Sequence, residues 1–374
     1  MNSRQRIKGR FVWKISAMIT SAALLISCSG DGGDGPSSSS EPAIFTNLGF
    51  LPGDTSSTAN AVSADGTVVV GSSKSPTGIP HAFRWTAQQK MLGLGSLPGG
   101  SEATAAAVSA DGSVVVGNGD SSGPPQSSSA IFRWTVGSGI ARVNGIPGSH
   151  LCTASGVSGD GSALVGTCLT INNEAYLWTE SAGSVGLGRF GGGSNQTSTA
   201  AAVSSDGRFV VGAGHPMLTG AFVWVVNGGF VVLERLPGDA SAVASAVSRD
   251  GAVVVGSSTD DSQRSRAFRW TRQSGMVALP QAPSGISGMA FGVSGDGELV
   301  VGSSMSASGE SAAIWDAEQG TRLLETVLSS QFPTDIKGWK LVRATAVSDD
   351  GTTIVGYATN PRGQTEGWAL RLPD

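Results

Sequence analysis

Read for its apolar and polar positions, the chain repeats one figure seven times after a different opening. Small residues alternate with others, Ser-x-Asp-Gly follows, and a continuous β-branched run comes next. After a polar gap five units carry two aromatic residues two positions apart, where the sixth has Ala313 and Trp315 and the seventh Trp368 and Leu370; a second short apolar stretch follows. In the first unit Ala59, Ala61 and Ser63 fall on one face, with Asn60 and Val62 on the other. That period of two predicts a strand. Asp65-Gly66 predicts a tight hairpin, because Gly takes positive φ without steric cost and Asp bonds its own turn backbone. Val68-Val69-Val70 is apolar on both faces, as a strand sandwiched between neighbouring sheets requires. Phe83 and Trp85 share one face of a third strand and are large enough to fill the space between sheets. Met91 to Leu97 supplies a fourth strand.

The Asp-Gly pairs begin at Asp65, Asp111, Asp160, Asp206, Asp250, Asp296 and Asp350, at intervals of 46, 49, 46, 44, 46 and 54 residues. Val always stands three before the Asp, Ser two before, and Val-Gly closes the run, with Gly six after. Seven units of about 45 residues with four strands each predict an all-β, seven-bladed β-propeller of four-stranded antiparallel blades. The last unit ends at its third strand, and a spare fourth-type strand precedes the first unit, from Ile44 to Gly53. Laid on the outer edge of the last blade, that N-terminal strand would complete it, close the ring and cover an open edge. One segment breaks the pattern. Residues 321–332 (TRLLETVLSSQF), in the longest interval, carry apolar residues at helical spacing and predict a short helix.

The opening is of another kind. Arg4, Arg6, Lys8, Arg10 and Lys14 precede an apolar run from Ile15 to Ile26, and then comes Ser27-Cys28. This is the layout of a secretory signal, too short for a confident membrane span. Leu25-Ile26-Ser27-Cys28 resembles the lipobox of bacterial lipoproteins. That resemblance implies cleavage before Cys28 and acylation of its thiol, with palmitate-type chains anchoring the mature N-terminus. Ser29 rather than Asp after the cysteine implies, by the same resemblance, the Gram-negative outer membrane. Residues 1–27 are thus expected as signal peptide, 28–43 (CSGDGGDGPSSSSEPA) as a flexible tether, and 44–374 as the propeller.

Composition changes the picture in one respect. Charged residues make up only 14%, and 55 glycines suit tight turns. Without its signal the chain has 19 Lys+Arg against 28 Asp+Glu, a net charge of −9. That argues against nucleic acid and against an anionic membrane face as partners. The membrane is expected to be met through the lipid alone, and the chain is expected to be monomeric.

Seven blocks of Ala-Val-Ser-x-Asp-Gly-x-x-Val-Val-Gly, with Ala-Phe-Arg-Trp and Leu-x-x-Leu-Pro-Gly, resemble the HAF-repeat family of extracellular bacterial proteins over residues 44–372. The resemblance implies export and a surface location. It brings no activity and no catalytic residues.

Candidate chemistry is sparse. His81, His150 and His215 lie in different repeats at no metal-binding spacing, and the repeated Asp residues read as turn chemistry. No cofactor, metal or catalytic set is expected. Cys152 and Cys168 each stand eight residues from Asp160, on the two strands flanking that hairpin. In an oxidising compartment this predicts a disulfide clamping the third blade. A ligand would meet the loops joining second to third strands and fourth to first strands, which emerge on one face. Candidates there are Lys74, His81, Asp120, Glu174, His215, Asp260, Asp261, Arg264, Arg266, Glu310, Arg362 and Glu366. A glycan hydrolase or lyase would need convergent carboxylates, Tyr, His or Arg, and the chain holds two Tyr and three His. A non-catalytic binding or scaffolding module for protein or polysaccharide is therefore expected. A propeller-type glycan hydrolase or lyase and an envelope assembly component are the alternatives.

Overall fold

The computed structural model describes residues 43–121, 127–190, 196–215, 220–317, 320–330 and 336–373. The expected signal peptide, Cys28 and the tether as far as residue 42 lie outside the described residues, as does Phe332, while Ala43, expected as the end of the tether, is buried in the core cluster between blades 6 and 7.

Seven four-stranded antiparallel sheets form the seven expected blades. Blade 1 runs through Ser56–Val62, Val68–Lys74, Pro80–Thr86 and Lys90–Gly93. The first strands touch one another in a closed circle, so they are innermost and line the channel. Ile44–Asn47 pairs antiparallel with Thr365–Arg371 and supplies the fourth strand of blade 7, whose first two strands are Lys340–Val347 and Thr353–Thr359. The apolar core is divided into seven clusters, one at each junction between blades. The two columns of each third strand that hold Phe and Trp in blades 1, 2, 4 and 5 face the preceding blade, and they hold Tyr176 and Trp178, Ala313 and Trp315, and Trp368 and Leu370 in blades 3, 6 and 7. Phe268 and Trp270 of blade 5, for example, pack with Val211, Val223 and Leu233 of blade 4.

The Ser-x-Asp-Gly hairpins make a second, polar closure. In all seven the Ser hydroxyl donates to Asp Oδ1 at 2.5–2.8 Å. The same hydroxyl oxygen accepts the amide five residues on. The residue between Ser and Asp then links one blade to the next through backbone. Ala64 donates to Ala110, Ala110 to Gly159, Gly159 to Ser205, Ser205 to Arg249, Arg249 to Gly295 and Gly295 to Asp349. Asp350 donates back to Ala64. Seven amide-to-carbonyl bonds thus run round the hairpin face.

One expectation about the inner strands is corrected. Ala59, Ala61 and Ser63 do not keep strict alternation, because a β-bulge at Asn60 shifts the register between Ala59 and Ala61. The same shift occurs at the same place in all seven blades. It turns a carbonyl toward the second strand. A Cβ on the invariant Gly there would lie 1.8–2.1 Å from that oxygen, Thr104 O against Gly117 for instance. Only Gly can stand six residues after the Asp. The bulge also brings Cys152 directly opposite Cys168, where the expected disulfide is formed.

The expected helix is shorter than the apolar pattern. Residues 320–323 continue as the fourth strand of blade 6, and the helix spans Leu324–Ser330. It buries Leu324, Val327 and Leu328 against blades 6 and 7.

Candidate functional site

The hairpin face spends its carboxylates on structure. At Asp111 the Ser113 amide, with the hydroxyls of Ser109 and Ser113, holds the carboxyl below its ordinary value. Ser158 and then the Ser162 amide do so at Asp160, and the Ala252 amide does so at Asp250. Anions held this way by their own turn are not poised for acid–base work.

On the opposite, loop face several of the candidates tie a blade to its connections. His81 Nδ1 lies 3.0 Å from Asp54 Oδ2, and Arg266 Nη2 lies 2.6 Å from Asp239 Oδ1. Both partner aspartates are buried and follow Pro-Gly at the entry to the same blade. Asp120 accepts the amides of Ser101 and Glu102 at 2.7 Å. Glu174 accepts from the Gly188 amide. Glu366, 5% exposed, accepts from Asn47, Gly49 and Asn360, so it sits inside the ring closure rather than in an open loop. Asp260 is held within its own turn by Ser262 and Arg264. Lys74, Asp261 and Arg362 are exposed and separate. His215 ends its strand opposite Thr197, and its side chain is outside the described residues.

Glu310 is different, and the residues around it emerge from three columns that surround the channel. The inner-strand residue before the bulge is Thr58, Thr104, Thr153, Thr199, Val243, Met289 and Arg343 in blades 1 to 7. The bulged residue is Asn60, Ala106, Ser155, Ala201, Ser245, Phe291 and Thr345. The second-strand partner of the first column is Ser72, Asn118, Thr167, Ala213, Ser257, Ser303 and Tyr357. Small side chains fill blades 1 to 4. The large and charged ones, Met289, Phe291, Arg343 and Tyr357, gather where blade 6 meets blade 7.

Arg343 Nε and Nη2 donate to Glu310 Oε1 at 2.9 and 2.7 Å, and Ser303 Oγ donates to the same oxygen at 2.7 Å. The guanidinium carbon lies 4.6 Å from the Phe291 ring centroid and 5.7 Å from that of Tyr357. Burial raises the Tyr357 hydroxyl above its ordinary value, with the Arg343 charge opposing and Glu310 adding, so the phenol keeps its proton. All three bonds to the carboxylate use Oε1, which leaves Oε2 and Nη1 outside this network. The cluster is half-buried, with the Arg343 and Glu310 side chains 29% and 16% exposed.

Local structure explains the placement. Blade 7 alone has a second register shift in its inner strand, at Val342, immediately before Arg343. The freed Leu341 amide donates to Glu325 Oε1 at 2.7 Å, from the helix of the insertion. Bulges of this kind re-aim side chains and recur beside functional sites.

No family model matches the chain, and no curated protein matches it. Similar solved structures are propellers. An oligogalacturonate lyase from Vibrio parahaemolyticus aligns over 88% of this chain and 94% of its own at 10% identity, with a TM-score of 0.56. TolB from Acinetobacter baumannii aligns over 69% of this chain at 12% identity, with a TM-score of 0.47, and the alignment spans 63% of TolB. At 10% identity the likeness to the lyase structure establishes the propeller fold alone.

Sequence reasoning named Glu310 and passed over Arg343, Tyr357 and Phe291. The signal was present as departures within columns, since Thr, Thr, Thr, Thr, Val, Met, Arg stands seven before each Asp. Without the register those columns read as ordinary strand variation. Chemically, a guanidinium braced by a carboxylate and flanked by two rings offers charge-assisted donors and flat apolar faces. That set suits recognition of a polar or anionic group on a planar or sugar-like body.

Proposed function

We propose that this chain is an exported, lipid-anchored binding module of the envelope that holds a protein or polysaccharide at its loop-face channel mouth. The observation that carries the reading is Arg343, set beside an inner-strand register shift that only blade 7 has, bonded to Glu310 and flanked by Phe291 and Tyr357. The disulfide supports export, because such bonds persist in oxidising compartments. The HAF-type repeat and the lipobox-like Leu25–Cys28 support a surface location, with Cys28 as the lipidated residue and the outer membrane as the destination. The role is non-catalytic. Glu310 Oε1 is taken up by Arg343 and Ser303, and Tyr357 keeps its proton, so the phenol is not poised as a base at neutral pH.

The test compares the mature chain with Arg343→Ala on a glycan array and in pull-downs from envelope extract. Binding is expected to fall at least tenfold in Arg343→Ala with unchanged near-UV circular dichroism. Undiminished binding would reject this mouth as the site. Turnover of a glycan substrate abolished by Arg343→Ala would make the protein an enzyme instead. Cys28→Ser is expected to move the protein from the membrane to the soluble fraction, and a membrane-bound variant would reject the anchor.

A further inference from the structure

The charges at the channel mouth cancel. In the three columns that surround the channel Arg343 is the one charged side chain, and Glu310 offsets it. Arg343 Nη1 and Glu310 Oε2 take no part in the bonds between them and are not buried, so the compensated pair leaves one donor and one acceptor open. A ligand carboxylate or phosphate could accept from Nη1 only by approaching the free charge on Oε2. An ammonium would meet the converse penalty from the guanidinium. A neutral group that both accepts and donates meets neither penalty. Hydroxyls are such groups. A trans peptide unit is a poorer match, because its carbonyl and its N–H point in opposite directions. The rest of the mouth has matching chemistry. Thr58, Thr104, Thr153 and Thr199 stand in Arg343's own column on blades 1 to 4, each with a hydroxyl that donates and accepts. Met289, Phe291 and Tyr357 are half-buried and add apolar faces.

We propose that the ligand of this mouth is a neutral polysaccharide, read through ring hydroxyls that accept from Arg343 Nη1 and donate to Glu310 Oε2. The proposal rests on the reading of this mouth as the binding site and narrows its ligand. The C–H face of a sugar ring is apolar and packs on the flat faces of Phe291 and Tyr357. A few fixed polar groups set the orientation of the ring, and the apolar faces supply buried area. Tyr357 keeps its proton, so its hydroxyl can donate to a ring or glycosidic oxygen as well as accept. The excess of Asp and Glu over Lys and Arg in the chain opposes acidic glycans at longer range.

The test uses the mature chain and hexasaccharides of equal linkage that differ in charge, galactan against galacturonan and mannan against mannuronan, followed by isothermal titration calorimetry. At least one neutral hexasaccharide is expected to bind, and its uronate counterpart at least tenfold more weakly. Glu310→Gln keeps the shape and removes the charge on the acceptor. It is expected to weaken the neutral ligand and tighten the uronate, so that the ratio between them narrows. A uronate that binds as tightly as its neutral match would overturn the proposal, as would a ratio unmoved in a folded Glu310→Gln. So would failure of every neutral hexasaccharide to bind. If a protein is then captured from envelope extract and lost in Arg343→Ala, the mouth stands as the site and its occupant is a protein. Undiminished glycan binding in Arg343→Ala rejects the mouth itself. Should Glu310→Gln fail to fold, the matched pairs on the native chain decide the matter alone.

Discussion

At the scale of single residues, the invariant columns have separate physical reasons. The Gly six after each Asp is demanded by a carbonyl, since a Cβ at Gly117 would stand 2.1 Å from Thr104 O and 2.6 Å from the Phe132 ring. Gly117→Ala is therefore expected to lower stability by about 3 kcal/mol, the upper range for overpacking. Gly137→Ala, where no atom lies within 4 Å of the added carbon, should change it by less than about 0.5 kcal/mol. Urea unfolding of the two variants makes the comparison, and equal effects would refute the steric explanation. The turn aspartates make a prediction about pH. Folded Asp111, Asp160 and Asp250 hold their carboxyls below the ordinary value, so the unfolded chain binds protons first as pH falls. Their contribution is complete above about pH 4 and is lost as pH drops through the depressed values. Melting temperature should fall on that acid side, and Asp111→Asn should flatten the decline. A slope unchanged by that substitution would show that the turns are not its source.

Elements were legible to the extent that their signal was periodic. Strand number, order, hairpins and the aromatic face of each third strand follow from apolar spacing and Asp-Gly alone. The bulges were not legible, because an extra residue in a run of Ala, Ser, Thr and Asn alters no hydrophobic count. Its trace was the Gly column, which sterics required but sequence did not explain. The disulfide was legible through its spacing, although the bulge at Ser155 is what turns that spacing into direct opposition. Closing a loop of this length constrains the unfolded chain by about 3 kcal/mol. Replacing both Cys152 and Cys168 by Ser should cost about that much in equilibrium unfolding, with no change in the Arg343 cluster three blades away. The insertion helix was legible as a helix but not as a support. Its Glu325 accepts the Leu341 amide beside the second bulge. Glu325→Ala should weaken ligand binding at Arg343 more than it weakens the fold, and equal losses would assign the helix to packing alone.

At the scale of the molecule, the ring depends on a junction between chain ends. Ile44–Asn47 covers the outer edge of Thr365–Arg371, and Leu48 packs with Trp85 and Ala369 where blade 7 meets blade 1. The junction also holds a charge. Glu366 is 5% exposed, and two of its donors, the Asn47 amide group and the Gly49 backbone, arrive with the N-terminal strand. Removing that strand would leave a carboxylate short of partners and a strand edge bare, which is both destabilising and adhesive. The hairpin face would still close through Asp350 and Ala64, so the two closures can be separated. A chain lacking residues 1–49 should therefore keep most of its β-sheet content yet unfold at lower urea and form concentration-dependent oligomers through the bared edge. Adding Glu366→Gln to the truncated chain should recover part of the lost stability, because it removes the unpaired charge. In the intact chain the same substitution should be destabilising, since Asn47, Gly49 and Asn360 would lose their charged acceptor. A sign that failed to reverse between the two backgrounds would show that the strand closes the ring by apolar packing alone.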